Sequence, residues 1–344
     1  MDLASHTSPL WMLTQEPELN GFVADLCRQL ERFRQAPDAA GTIEFSRRQV
    51  LAARVAFSSM ILRGERKLHR LCELLCRELF TAYQMQSVVF GQIDATGERF
   101  MLMQRLDPKE LDETSDLDLG TRQLRRIAFR TPEGTSAASL VANVVEYQPT
   151  EPNPLRVHRL ISRIKAEEEI WNKVADEIFD LDSLVRRDKQ ISHLSLFIKD
   201  VFGLKLVVEH EADVQPLHDR LAALRWPEAT EPGTQALEFL ETKDYMGEDG
   251  RKSSGWEAIK SVVRWWDKTF EIQVQPLKRF FNEREYLTDE SHEGFKARRE
   301  ALRNRIVAEL PLYGFCRDLL RWLFLDDAAA APPRHAGITV VLHK

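Results

Sequence analysis

The stretch DYMGEDGRKSSGWEAIKSVVRWWDKTFEIQVQ, residues 244–275, decides how this chain folds. Residues 261–266 and 269–275 are rich in β-branched and aromatic side chains and lie two residues apart, which predicts an antiparallel hairpin. Ahead of it runs a polar, glycine-containing basic loop, from Asp244-Tyr245 through Lys252 to Gly255-Trp256. A loop with a cation and an aromatic ring, feeding a strand pair that carries the Glu271 carboxylate, suits a nucleotide and a hard divalent cation.

The neighbouring segments extend the pattern in both directions. Residues 201–209 (VFGLKLVVE) and 236–244 read as strands, with a helix over 214–224 between them. Residues 155–180 have helical periodicity and follow Gln148-Pro-Thr-Glu-Pro-Asn-Pro154, whose prolines predict a linker over 149–154. Residues 278–325 are largely helical, and the tail 326–344 holds an Ala/Pro-rich stretch and a short strand over 337–343. Before the linker, helical spacing covers 18–33 and 46–85, the second with Gly64 as an interruption. Strands are predicted over 87–93 and 99–105, joined through Asp94-Ala-Thr-Gly97, and over 125–130 and 140–147. The expectation is an α+β chain: a separate N-terminal α+β domain over 1–148, and a second domain over 155–325 whose mixed sheet is flanked by helices.

Composition narrows the functions. With 48 basic and 54 acidic residues the formal net charge is −6, so bulk attraction to nucleic acid is unsupported and only a local basic cleft remains. No apolar run approaches the roughly 20 residues that span a bilayer, and the opening MDLASHTSPLWML lacks a secretion pattern. Four cysteines (Cys27, Cys72, Cys76, Cys316) make no disulfide framework in 344 residues. A cytoplasmic setting, with no membrane, is the expectation.

Several residues are placed to do chemistry. Asp200 stands at the mouth of the 201–209 strand and Glu271 at the start of its own. Two carboxylates at strand ends suit Mg²⁺ that already holds phosphate oxygens; the plain alternative is a pair of solvated acids. Arg163 and Lys165 share a face if their segment is extended, and Lys173 would return to the same spot from the first helical turns. Clustered cations answer the charge of a nucleoside triphosphate; the alternative is an amphipathic helix with charged flanks.

Taken in order, these blocks resemble the RelA/SpoT-type alarmone synthetases. That family carries R-x-K…S-I-x-x-K, then D-x-x-G-x-R, then D-Y-I…P-K-x-N-G-Y-x-S-x-H, then E-I-Q-I-R-T, and later a helical E-H. The present chain reads Arg163-Ile-Lys165…Glu169-Ile170-Trp-Asn-Lys173, then Asp200-Val-Phe-Gly203-Leu-Lys205. It continues Asp244-Tyr245…Arg251-Lys252-Ser-Ser254-Gly255-Trp256-Glu-Ala-Ile-Lys260, then Glu271-Ile-Gln273-Val-Gln275, and Ser291-His292. The resemblance implies a nucleotidyltransferase-like pyrophosphokinase domain that moves the β,γ-pyrophosphate of ATP to the 3′-hydroxyl of GDP or GTP. By the same resemblance Arg163, Lys165, Lys173 and Lys205 would bind ATP. Asp200 and Glu271 would hold Mg²⁺ and act in catalysis, and Lys252, Trp256, Lys260, Gln273 and His292 would meet the acceptor.

The departures from the family pattern concentrate on the acceptor side. Lys205 replaces the second adenine-sandwiching Arg, Glu169 a Ser, Lys260 a His, and Gln275-Pro276 an Arg-Thr pair. Two further readings therefore stay open: a toxin-type synthetase acting on the tRNA 3′ end or making adenosine alarmones, and a nucleotide-binding regulatory module without turnover. Lys278-Arg279 and Arg298-Arg299 would serve RNA, or are solvated helix faces. His69, Cys72 and Cys76 read as core rather than as a metal site. No hydrolase motif is found in residues 1–150. Restraint of the enzyme would then come from an inhibitory partner protein or from autoinhibition by the N-terminal unit, which could equally hold a homo-oligomer together.

Overall fold

The largest feature among the described residues is an eight-stranded mixed sheet. The computed structural model describes residues 15–36, 39–131, 134–165, 167–179, 201–246, 257–288, 303–325 and 331–344. The sheet strands are β2 (Tyr83–Ile93), β3 (Arg99–Leu106), β6 (Ala138–Pro149), β7 (Val157–Ile164), β8 (Phe202–Val208), β9 (Glu238–Asp244), β10 (Ile259–Trp265) and β11 (Lys268–Pro276). They lie in the order β3-β2-β6-β7-β8-β11-β10-β9, and all neighbours run antiparallel except β8 and β11, which are parallel. A small hairpin, β4 (Phe129–Thr131) with β5 (Gly134–Ser136), lies outside the sheet.

The expected boundary at residue 148 falls inside this sheet. β6 contains Gln148 and Pro149, and its neighbour β7 begins at Val157, so the proline-rich segment is a connection between adjacent strands. β2, β3 and β6, expected in a separate domain, extend the sheet that carries β7 to β11. The chain divides instead into one compact unit of Leu62–Ile164 with Val201–His292, and another of Met1–Ile61, Lys165–Asp200 and Glu293–Lys344.

In the sheet-bearing unit, the apolar face carries Tyr147, Leu160, Leu204, Leu206, Ile272, Val274 and Val263, all buried. Helices α3 (Pro108–Glu113), α4 (Asp116–Leu124), α6 (Val214–Ala223) and α7 (Leu277–Thr288) belong to the same unit. α2 (Arg47–Leu79) is continuous through Gly64. A Cβ at that position would lie 2.0 Å from the Phe202 ring, so Gly64 is the place where helix and sheet approach closely rather than an interruption. The 259–276 hairpin forms as expected and turns on Trp266-Asp267, with Trp266 at φ 59°. Trp265 is buried and donates to the Thr234 carbonyl at 3.1 Å, while the Lys67 ammonium sits 4.4 Å from the Trp266 ring centroid.

The other unit packs α1 (Pro17–Gln35), α5 (Glu167–Ile178), α8 (Pro311–Phe324) and a parallel pair, β1 (Gly41–Ser46) with β12 (Ile338–His343). Phe22 meets Phe45 and Phe324, and Trp171 stacks on Phe324 at 3.8 Å between centroids. The helix expected over 155–180 is therefore two elements. The first half, VHRLISRI, is strand β7, and only Glu167–Ile178 is helical. The strand expected over 125–130 shrinks to β4, because residues up to Leu124 close helix α4.

Candidate active site

Four adjacent strands, β7, β8, β11 and β10, place alternate residues on the face opposite the apolar one. In β11, Phe270, Ile272 and Val274 go to the core, which sends Glu271, Gln273 and Gln275 the other way. Register then assembles a patch. Arg163 of β7 and Glu271 of β11 both pair with Gly203 of β8, one on each side. Lys205 pairs with Gln273, and Gln273 with Lys260 of β10. Gly203 has no side chain, so the backbone between Arg163 and Glu271 is left open. Arg163, Lys205, Lys260, Glu271 and Gln273 thus share one face.

Glu271 is the most constrained member. It lies in the interior of β11, not at its start, and its side chain is only 4% exposed. Lys260 forms an ion pair with its Oε2, and Gln273 Nε2 donates to its Oε1 at 2.6 Å. A carboxylate taken out of water this far needs such partners, because an uncompensated buried charge is costly. Both carboxylate oxygens thus face nitrogen donors, so a hard cation here would take the place of one of them.

Beyond Lys205 the face continues into a network not anticipated from the sequence. Glu146 Oε2 accepts from Arg159 at 3.0 Å, Gln86 at 2.9 Å and Gln148 at 3.0 Å. Phe280 of α7 packs on Ile161 and Val207 and lies 5.1 Å from the Arg159 guanidinium and 6.0 Å from the Lys205 ammonium. Arg159 and Arg163 sit four residues apart on strand β7 and so share its face.

The remaining expected residues divide two ways. Lys165 and Lys173 belong to the second unit, where both are buried. Within that unit, α5 also carries Asp176, which accepts from the Tyr313 hydroxyl at 2.6 Å and from Arg303 at 3.2 Å. Asn172 accepts from Arg317 at 3.0 Å. Asp200, Lys252, Trp256 and His292 lie outside the described residues. Of the basic cluster weighed for RNA, Arg279 is held by Glu257 through two hydrogen bonds of 2.8 and 2.7 Å. His218 meets Ser261 at 2.9 Å, but Ser261 is fully buried, so the pair ties helix α6 to β10 rather than forming a nucleophile.

No family model matches the sequence, and no curated protein matches it. Among solved structures, the chain is similar to small alarmone synthetases. Small alarmone synthetase 1 from Bacillus subtilis, bound to its product pppGpp, is 17% identical over 45% of this chain and 77% of its own, with a TM-score of 0.24. A GTP pyrophosphokinase family protein from Streptococcus pneumoniae is 20% identical over 50% of this chain and 81% of its own, with a TM-score of 0.23.

Proposed function

We propose that this chain is a Mg²⁺-dependent pyrophosphokinase that transfers the β,γ-pyrophosphate of ATP to the 3′-hydroxyl of GDP or GTP. One observation carries the reading. Four sequence blocks that resemble synthetase motifs, far apart in the chain, supply Arg163, Gly203-Leu-Lys205, Lys260 and Glu271-Ile-Gln273 to one face of one sheet, in direct register.

The roles follow from charge and exposure. Arg163 is exposed and offers a planar guanidinium to a nucleotide base. Lys205 and Lys260 supply positive charge to phosphates, and Lys260 also answers Glu271. Glu271, with Asp200, would hold Mg²⁺, which when bound neutralises phosphate charge. The acceptor 3′-oxygen forms its bond to the β-phosphorus as the bond from that phosphorus to the α-bridging oxygen breaks. AMP leaves with the bridging oxygen, and the hydroxyl proton is released. Lys165 and Lys173, and the acceptor-side Lys252, Trp256 and His292, enter this scheme on their sequence resemblance alone. Such transfers depend on positioning and charge stabilisation, which a rigid polar sheet face provides.

The test is incubation of the purified chain with β-labelled ATP and Mg²⁺ in the presence of GDP, GTP, ATP or deacylated tRNA. Label on GDP or GTP is the expected result. Label on tRNA or on ATP alone would replace the acceptor assignment, and label on none would remove the reading.

A further inference from the structure

On the opposite side of the same sheet, a second group of titratable side chains lies outside the site described above. Glu65 and His69 stand one turn apart on α2, and Asp116 opens helix α4. All three are buried, at 5%, 6% and 3% exposure. We propose that they form a binding site for one divalent transition-metal cation.

The geometry supports this in four ways. One donor atom from each residue lies within 4.8 Å of the others. Ligands about 2.1 Å from a shared ion stand about 3.0 Å apart in octahedral and about 3.4 Å apart in tetrahedral coordination, and His69 Nε2 and Asp116 Oδ1 are 3.0 Å apart. His69 Nδ1 is 3.0 Å from the buried Tyr147 hydroxyl. That contact orients the ring with Nε2 in the cluster, the arrangement in which a partner on one ring nitrogen fixes the other as a ligand. Asp116 Oδ2 is buried without a hydrogen-bond partner. Native structures rarely leave such an atom unanswered unless a water or ion supplies the contact.

The donor set selects the ion. Two carboxylates with one imidazole suit Mn²⁺, Co²⁺, Fe²⁺ or Zn²⁺ better than the all-oxygen preference of Mg²⁺. Glu65 and His69 line a pocket of about 470 Å³, with Ser115 on its wall and the exposed Arg66, Arg122 and Arg125 at its rim. The cation's remaining positions would open to this pocket and take water or a small oxyanion, the latter answered by the rim arginines. The proposal stands independently of the pyrophosphokinase reading.

The experiment uses the full, tag-free chain carrying Glu271→Gln, so that no cation held at that carboxylate is counted. After chelation it is titrated with Co²⁺. The expected result is one equivalent per chain, a visible d–d absorption band and a rise in Tm. His69→Gln and Asp116→Asn in the same background, each checked for folding by circular dichroism, should weaken Co²⁺ binding more than about 100-fold, beyond the loss caused by removing an outlying partner. If either fails to fold, the His69 ring resonances of the parent decide: paramagnetic shifts on Co²⁺ addition support the site, and unshifted resonances overturn it. Absence of a bound equivalent in the parent, or equal binding in a folded variant, also overturns it.

Discussion

Glu271 bears on stability, because its carboxylate is both buried and ion-paired. From sequence it reads as a strand-end acid that could be truncated without harm to the fold. Its 4% exposure and its pairing with Lys260 argue otherwise. Glu271→Ala should cost about 2 kcal/mol by stranding the Lys260 ammonium. Lys260→Ala added to it should recover part of that loss, which denaturant unfolding of both single variants and the double variant would measure. His218 carries a separate prediction. Burial, opposed by Asp219 and Asp244, holds its imidazole below the ordinary value of 6.5. Its contribution to stability is therefore fully present above that value and is lost as pH falls through the lowered folded one, since the unfolded chain takes up the proton first. Melting curves from pH 7.5 to pH 5 should fall more steeply for the parent than for His218→Gln.

Among the elements, α2 shows how a local rule yields to packing. Glycine weakens a helix interior by about 1 kcal/mol relative to alanine, which is why Gly64 reads as an interruption. Here the absent side chain admits the Phe202 ring, itself fully buried. Gly64→Ala should therefore destabilise, by about 1–2 kcal/mol once the overpacking cost is set against the gain in helix propensity, as thermal unfolding would show. Strands β8, β10 and β11 and helix α6 are legible in the sequence, since each has clean periodicity bounded by turn residues. β7 is not, because Leu160, Ile161 and Ile164 fit a helical stripe as well as a two-sided strand, and only pairing with β6 and β8 decides between them. Arg159 escaped the site reading because its partner Glu146 is brought to it only by that pairing. Arg163, Lys205, Lys260, Glu271 and Gln273 stand out in the sequence because their spacing follows a motif order, and register brings them to one face. The Glu65, His69 and Asp116 group was not, because it joins a helix to the start of another one 47 residues on.

For the molecule as a whole, the eight-stranded sheet changes what a fragment can do. Residues 150–344 alone, a sensible cut if the proline-rich segment is a linker, would lack β2, β3 and β6 entirely. They would expose the edge of β7 beside Leu160 and Ile161, which are buried in the full chain. That fragment should aggregate or remain unfolded; a soluble, folded product by size exclusion and circular dichroism would argue for separable domains. The described helices include none long and apolar enough to cross a membrane. If the polar face around Glu271 performs pyrophosphate transfer, turnover of ATP depends on that carboxylate. AMP release from ATP, measured with Mg²⁺ and with or without GDP, tests it in the parent and in folded Glu271→Gln. The account expects GDP-dependent AMP formation that falls at least about 100-fold in the variant. Equal rates in the two proteins, or no GDP-dependent AMP from the parent, would contradict it.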